Sequence, residues 1–282
     1  MAVQDIHLAL TTYPKPTPVS VVDDAIDFAV ALGARLSAIA CEFKIETPGN
    51  SLANALLEVP AMFAAEAKKS STNAANLLSA FQAAAEKRGV FQDRISERCR
   101  TSEVTDLLIE YARVRDCTIV PVLEGEYVNQ WYAEAIIFGS GRPTLIVPQT
   151  RKRAGTFSLN KVILAWDSGR PAARAVADAL PILQKAKRVS VLTIINEKVI
   201  DTKRSGAELA KHLARHGVEV VLDTVDAAGR GIGDLLESYV TSCNADLLVM
   251  GAYGHSRMRD FILGGATKSM LSRPPLPIFL SH

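Results

Sequence analysis

The feature that most restricts the fold is an alternation, run through twice, of short apolar stretches with longer segments of helical periodicity. Residues 160–195, NKVILAWDSGRPAARAVADALPILQKAKRVSVLTII, read as strand, turn, helix and strand. Residues 4–41, QDIHLALTTYPKPTPVSVVDDAIDFAVALGARLSAIAC, read the same way. The second half continues through a helix over 205–216 with Gly217 as its C-cap, a strand over 218–225, a helix over 233–243, a strand over 245–251, a helix over 264–272 and a strand over 277–282. The first half follows the same plan, with strands expected over 6–12, 35–42, 93–100, 117–122 and 144–148 and helices over 19–33, 51–88, 103–115 and 128–139. Near-continuous apolar strands separated by helices imply a parallel sheet covered on both faces. A chain of 282 residues is about two domains long. The basic, polar stretch PQTRKRAGTFSLN over 148–160 reads as the linker, which places one domain over 1–150 and a second over 158–282.

Charge excludes several partners. The 32 basic and 30 acidic residues are interspersed, and the net charge is +2, so there is no broad electrostatic footprint for nucleic acid or an anionic membrane. No apolar run is long enough to span a bilayer, and the N-terminus lacks a basic region ahead of its apolar stretch, so a cytoplasmic protein is expected. The four cysteines include no C-x-x-C pair, which argues against a zinc site or a disulfide framework, and Cys41 and Cys117 read as small core residues near strand ends.

In open α/β sheets, ligands bind beyond the carboxyl ends of the strands where the strand order reverses. Two signals fall there. In LAWDSG, Asp167 and Ser168 emerge from the first strand of the second half. A carboxylate at that place can accept hydrogen bonds from a ribose or a base, and it can equally cap the helix that follows. The second signal is GAYGHSRMRDFILGGAT over 251–267, directly after the apolar run that ends at Met250. Gly251 and Gly254 permit a close backbone approach, and Gly264 and Gly265 stand before a helix starting near Ala266, whose free N–H groups suit a phosphate. Thr267 and His255, with Arg257 and Arg259, are further donors.

The spacing G-x2-G-x9-G after a buried strand, together with AWDS on the first strand, resembles the nucleotide-binding signature of the universal stress protein family. With both five-stranded halves, the resemblance covers essentially the whole chain as a tandem of two such domains. It implies Rossmann-like, adenine nucleotide alpha hydrolase-like domains with strand order 3-2-1-4-5, and fifth strands that pair about a pseudo-two-fold axis. It further implies ATP or AMP, with or without magnesium, lying across the first and fourth strand ends. On matched positions, Ala165 and Asp167 would lie beside the adenosine and Ile194 would offer backbone contacts to the base. Gly251, Gly254, Gly264, Gly265 and Ala266 would surround the ribose and phosphates. Many ATP-binding members carry a serine or threonine straight after the third motif glycine, where this chain has Gly265. Thr267 partly substitutes for that hydroxyl, and the expectation moves towards AMP or weak ATP binding.

The first half fails the same test. Thr11 stands where the second half has Asp167, only Gly125 and the Gly139-Ser140-Gly141 group are available after its fourth strand, and Glu124 and Glu126 would repel phosphate. It reads as a degenerate partner domain. His212 and His216 have metal-ligand spacing without a third ligand, and they read better as a solvated helix end. GRGIG over 229–233 can line the pocket or bind an anion, and it reads better as a flexible loop with Asp234 near a helix start. No Ser-His-Asp or Cys-His constellation and no Walker lysine is present, so nothing supports fast phosphoryl transfer. The leading expectation is a nucleotide-binding regulatory protein of the stress response. An interaction or dimerisation scaffold without nucleotide and a slow ATPase are the competing readings. A homodimer and an unnamed protein partner are compatible with each.

Overall fold

The computed structural model describes residues 2–44, 59–150, 157–195, 203–252 and 265–282. In the first half, β1 (Asp5–Leu10), α1 (Val19–Leu32), β2 (Arg35–Phe43), α2 (Val59–Lys87) and β3 (Phe91–Cys99) lead through a short 3-10 turn into α3 (Val104–Arg113). β4 (Cys117–Val122), α4 (Tyr127–Gly139) and β5 (Thr144–Pro148) complete it. The second half runs β6 (Val162–Ala165), α5 (Arg170–Leu183), β7 (Val189–Ile195), α6 (Lys203–Arg215), β8 (Val220–Asp226), α7 (Ile232–Ser242), β9 (Leu247–Gly251), α8 (Gly265–Ser272) and β10 (Ile278–Ser281). The expected alternation is present. Of the helix expected over 51–88, residues 51–58 lie outside the described residues.

Each half has the strand order 3-2-1-4-5, and the two halves join into one ten-stranded sheet, β3-β2-β1-β4-β5-β10-β9-β6-β7-β8. The junction is the antiparallel pair of fifth strands, with Ile278 opposite Ile146, Phe279 opposite Leu145 and Leu280 opposite Thr144. Every residue of β5 and β10 is buried, so neither could stand as a solvent-facing edge, and pairing gives both backbones their partners. The true edges, β3 and β8, are the strands with repeated exposed positions.

Two helical layers cover the sheet. Leucines, valines and alanines of α1, α2, α5 and α6 share one buried cluster, and those of α3, α4, α7 and α8 share the other. The first layer crosses the junction: Phe28 of α1 packs edge-on against Phe157 at 5.4 Å, and Lys185 Nζ donates to the α1 carbonyls of Ala31 and Leu32 at 3.2 and 3.0 Å. A cation at the carboxyl end of a helix is favourably placed.

Repeated details mark the two halves as copies. Asp116, directly before β4, accepts the backbone N–H groups of Gln4 and Asp5 at 2.9 and 3.0 Å. Asp246, directly before β9, accepts that of Lys161 at 2.7 Å. Gly217 ends α6 at φ 76°, the left-handed conformation expected of a C-cap, as Gly33 does for α1 at φ 67°. Cys41 and Cys117 are buried in the strands, and burial pushes both thiols well above their ordinary range. Among the described residues no helix is long and apolar enough to cross a membrane.

Candidate nucleotide site

The carboxyl ends of β6, β7 and β9 open into a cavity of about 520 Å³, within the range of small-molecule sites. Its floor is Ala165, Leu192, Ile194, Met250 and Gly251; its sides are Trp166, Asp167 and Ala172; and its far wall is the start of α7 with the first turn of α8. These ends coincide because a right-handed crossover returns each helix to the same edge of the sheet, so helix starts gather where strands finish.

Asp167 follows β6 on an exposed turn and accepts the N–H of Gly169 on its Oδ1 at 2.8 Å. Gly169, not Asp167, is the N-cap of α5, and it makes no side-chain cap bond. Ser168 sits at φ 63°, where a non-glycine residue is uncommon. Its hydroxyl meets Ser205 Oγ at 2.7 Å, and Ser205 also takes the indole N–H of Trp166 at 2.8 Å. Ser168 is thus turned towards α6 and does not line the cavity.

Two glycines are required by packing between elements. A Cβ on Gly251 would fall 2.4 Å from the Ala172 nitrogen and 2.5 Å from the Pro171 carbonyl carbon, so the end of β9 lies against the first turn of α5. A Cβ on Gly233 would fall 2.5 Å from Ser269 Cβ, which brings the starts of α7 and α8 together. At Gly265 an added Cβ would meet nothing within 4 Å.

Asp167 and Asp234 are the charged side chains among the described lining residues, and no lysine or arginine is present among them. The start of α7, capped by Gly231 and lining the cavity, supplies the opposing sign. Gly265, Ala266 and Thr267 of α8 line it as well. The two carboxylates suit a divalent cation accompanying a phosphate, and the cavity volume suits a nucleotide, so the residues present fit both groups. Among the described residues no cluster of three His, Cys, Asp or Glu could hold a metal unaided. His212 and His216 are exposed and meet edge-to-face at 4.8 Å.

The first half has a cleft at the same strand ends, and it is closed to about 10 Å³. Thr11, the counterpart of Asp167, is buried; its N–H donates to Thr17 Oγ1 at 3.0 Å, and its Oγ1 accepts from Asn129 Nδ2 at 2.8 Å. Thr12 donates to the Cys41 carbonyl at 2.6 Å and lies 3.0 Å from Ser70 Oγ, which accepts the Phe43 N–H at 3.2 Å. Tyr132 of α4 fills the space with Phe43, and burial raises its phenol well above the ordinary range. Glu126 is engaged by Lys15.

Of the residues that the sequence nominated, the cavity brings together Ala165, Asp167, Ile194, Met250, Gly251, Gly265, Ala266 and Thr267. Gly254, His255 and Gly264, with Arg257 and Arg259, lie outside the described residues. The site also includes Gly231 to Asp234, which the sequence reads better as a loop than as pocket lining, and Trp166, Ala172 and Ser269, which it did not nominate. Their signal was positional: each begins or follows an element at the same sheet edge.

No family model and no curated protein matches the sequence. Solved structures do. The chain is similar to a universal stress protein from Archaeoglobus fulgidus DSM 4304, at 15% identity over 98% of this chain and 97% of that one, with a TM-score of 0.69. It is similar to a protein from Pseudomonas aeruginosa UCBPP-PA14 provisionally named a universal stress protein, at 12% identity over 99% and 93%, with a TM-score of 0.57. It is also similar to a protein of unknown function from Pseudomonas aeruginosa PAO1, at 12% over 98% and 92%, with a TM-score of 0.56. At these identities the likeness is one of fold. The chain has the universal stress protein fold, twice over, from end to end.

Proposed function

We propose that the chain is a tandem universal stress protein in which residues 158–282 bind an adenine nucleotide and residues 1–150 form a degenerate domain that stabilises them. The observation that carries this reading is the cavity of about 520 Å³ at the strand ends of the second half, lined by Asp167, Ile194, Gly251 and the first turn of α8. Asp167 accepts a ribose hydroxyl, the backbone at Ile194 meets the base, and the N–H groups of Gly265, Ala266 and Thr267 hold phosphate oxygens. A magnesium ion would neutralise phosphate charge beside Asp167 and Asp234. Bound nucleotide acts as a regulatory signal, and the described lining supports no fast hydrolysis, because it offers neither a lysine nor a histidine base.

A scaffold that has lost nucleotide binding is favoured by one observation, the pairing of Gly265 with two lining carboxylates and no cation among the described lining residues. Calorimetric titration with AMP and ATP, with and without magnesium, separates the readings. Saturable heat with an affinity that falls roughly 30-fold in Asp167→Ala supports nucleotide binding. A flat titration at millimolar nucleotide, with folding confirmed by circular dichroism, leaves the scaffold.

A further inference from the structure

Duplication supplies an internal control for the middle of the sheet. In the second half the strand registers align Ser190, Ile163, Leu248 and Ile278 in one row across β7, β6, β9 and β10. The corresponding row of the first half is Ser37, His7, Thr118 and Thr144 across β2, β1, β4 and β5. All eight residues are buried, but three apolar side chains of one row are replaced by an imidazole and two hydroxyls in the other. Burying polar groups where the sister domain keeps isoleucine and leucine is unfavourable unless they find hydrogen-bond partners.

The partners within the protein run out at one point. Ser37 Oγ donates to the Ile6 carbonyl at 3.3 Å, so its oxygen accepts the Nδ1–H of His7 at 3.1 Å, which leaves the lone pair on His7 Nε2. Tyr111 of α3 stacks over the ring at 5.6 Å and holds its orientation. His7 Nε2, Thr118 Oγ1 and Thr144 Oγ1 have no partner among the described residues. They lie on one face of adjacent strands, which are spaced about 4.8 Å apart, near enough for one molecule to bridge neighbours in the row.

We infer that His7, Thr118 and Thr144 form a binding site for internal water, built into the first half and lacking a counterpart in the second. The water donates to His7 Nε2 and accepts from Thr118 Oγ1, and the row continues to Thr144 Oγ1. An anion is disfavoured by the bare lone pair of Nε2. A cation is disfavoured by Arg115, whose charge acts on His7 and whose Nε lies 3.3 Å from Asp5 Oδ1. Water has both a donor and an acceptor face and fits a site with two or more polar partners.

A crystal structure of the full chain at a resolution that orders solvent tests this directly. Density within hydrogen-bonding distance of both His7 Nε2 and Thr118 Oγ1, with an Nδ1–H tautomer of His7 by nitrogen NMR, is the expected result. A dry row overturns it. Melting of Thr118→Val and Thr144→Val reads the same question in solution. Each lowers the melting temperature if a bridging water loses a partner, and each raises it, towards the apolar row of the second half, if the hydroxyls are dry.

Discussion

The two clefts of this molecule lie at the same strand ends of the same topology, yet one holds about 520 Å³ and the other about 10 Å³. In the first half the closure comes from the helix after the fourth strand. In the first half, residues 123–126 join β4 directly to a 13-residue α4. A short connection brings the early turns of α4 onto the strand ends, where Asn129 bonds Thr11 and Tyr132 fills the space. The first cleft is therefore closed by side chains of the helix after its fourth strand as well as by the exchange of an aspartate for Thr11.

The largest effect that sharpens the comparison is acid sensitivity of the first half. Burial, with the Arg115 cation adding to it, lowers the His7 imidazole to about 3 from an ordinary 6.5. The unfolded chain takes up this proton below about pH 6.5 while the folded chain does not, so the contribution is complete above that pH and is lost as pH falls towards 3; its full span is about 5 kcal/mol. Urea midpoints measured between pH 7 and 4 should fall less steeply in His7→Ile, which copies the second half. Equal slopes would remove the asymmetry.

Next in size is Tyr132→Ala, which empties the closed cleft. Truncating a buried aromatic costs about 3 kcal/mol, read as a lower thermal midpoint. Nucleotide stoichiometry should not rise, because Thr11 remains committed to Asn129. A second nucleotide bound per chain would show that Tyr132 alone separates the two halves.

Smaller effects belong to the open cleft. Asp167→Ala should weaken AMP binding by about 2 kcal/mol, or roughly 30-fold, since a hydrogen bond to a charged acceptor is lost. Gly265→Ser restores a hydroxyl at a position with open space, and it should tighten ATP binding by about 1 kcal/mol, roughly fivefold, with little change in melting temperature. Calorimetry reads both. An unchanged ATP affinity in Gly265→Ser would place the phosphates away from the start of α8.

Much of the fold was legible because parallel strands buried on both faces leave unbroken apolar runs, as in TIVPV of β4 and ADLLVM before Gly251. That β5 and β10 would pair came from the family resemblance, since apolar runs state burial and not partners. The candidate site was legible where glycines and Asp167 followed strands. Gly251 was read as an approach to ligand, and its Cα hydrogen also faces the backbone of Pro171 and Ala172, a contact between elements distant in sequence. Tyr132 could not be picked out, because an aromatic on the buried face of a helix reads alike whether it packs a core or stoppers a cleft. The polar row of His7, Thr118 and Thr144 emerges only once strand register sets the three side by side.

Equilibrium dialysis of the intact chain against labelled AMP tests most directly the claim that one half carries the site. Saturation at one nucleotide per chain, with affinity lowered roughly 30-fold by Asp167→Ala and retained in Thr11→Ala, is the predicted result. Saturation at two per chain, or loss of binding in Thr11→Ala with the Asp167 variant unaffected, would contradict it.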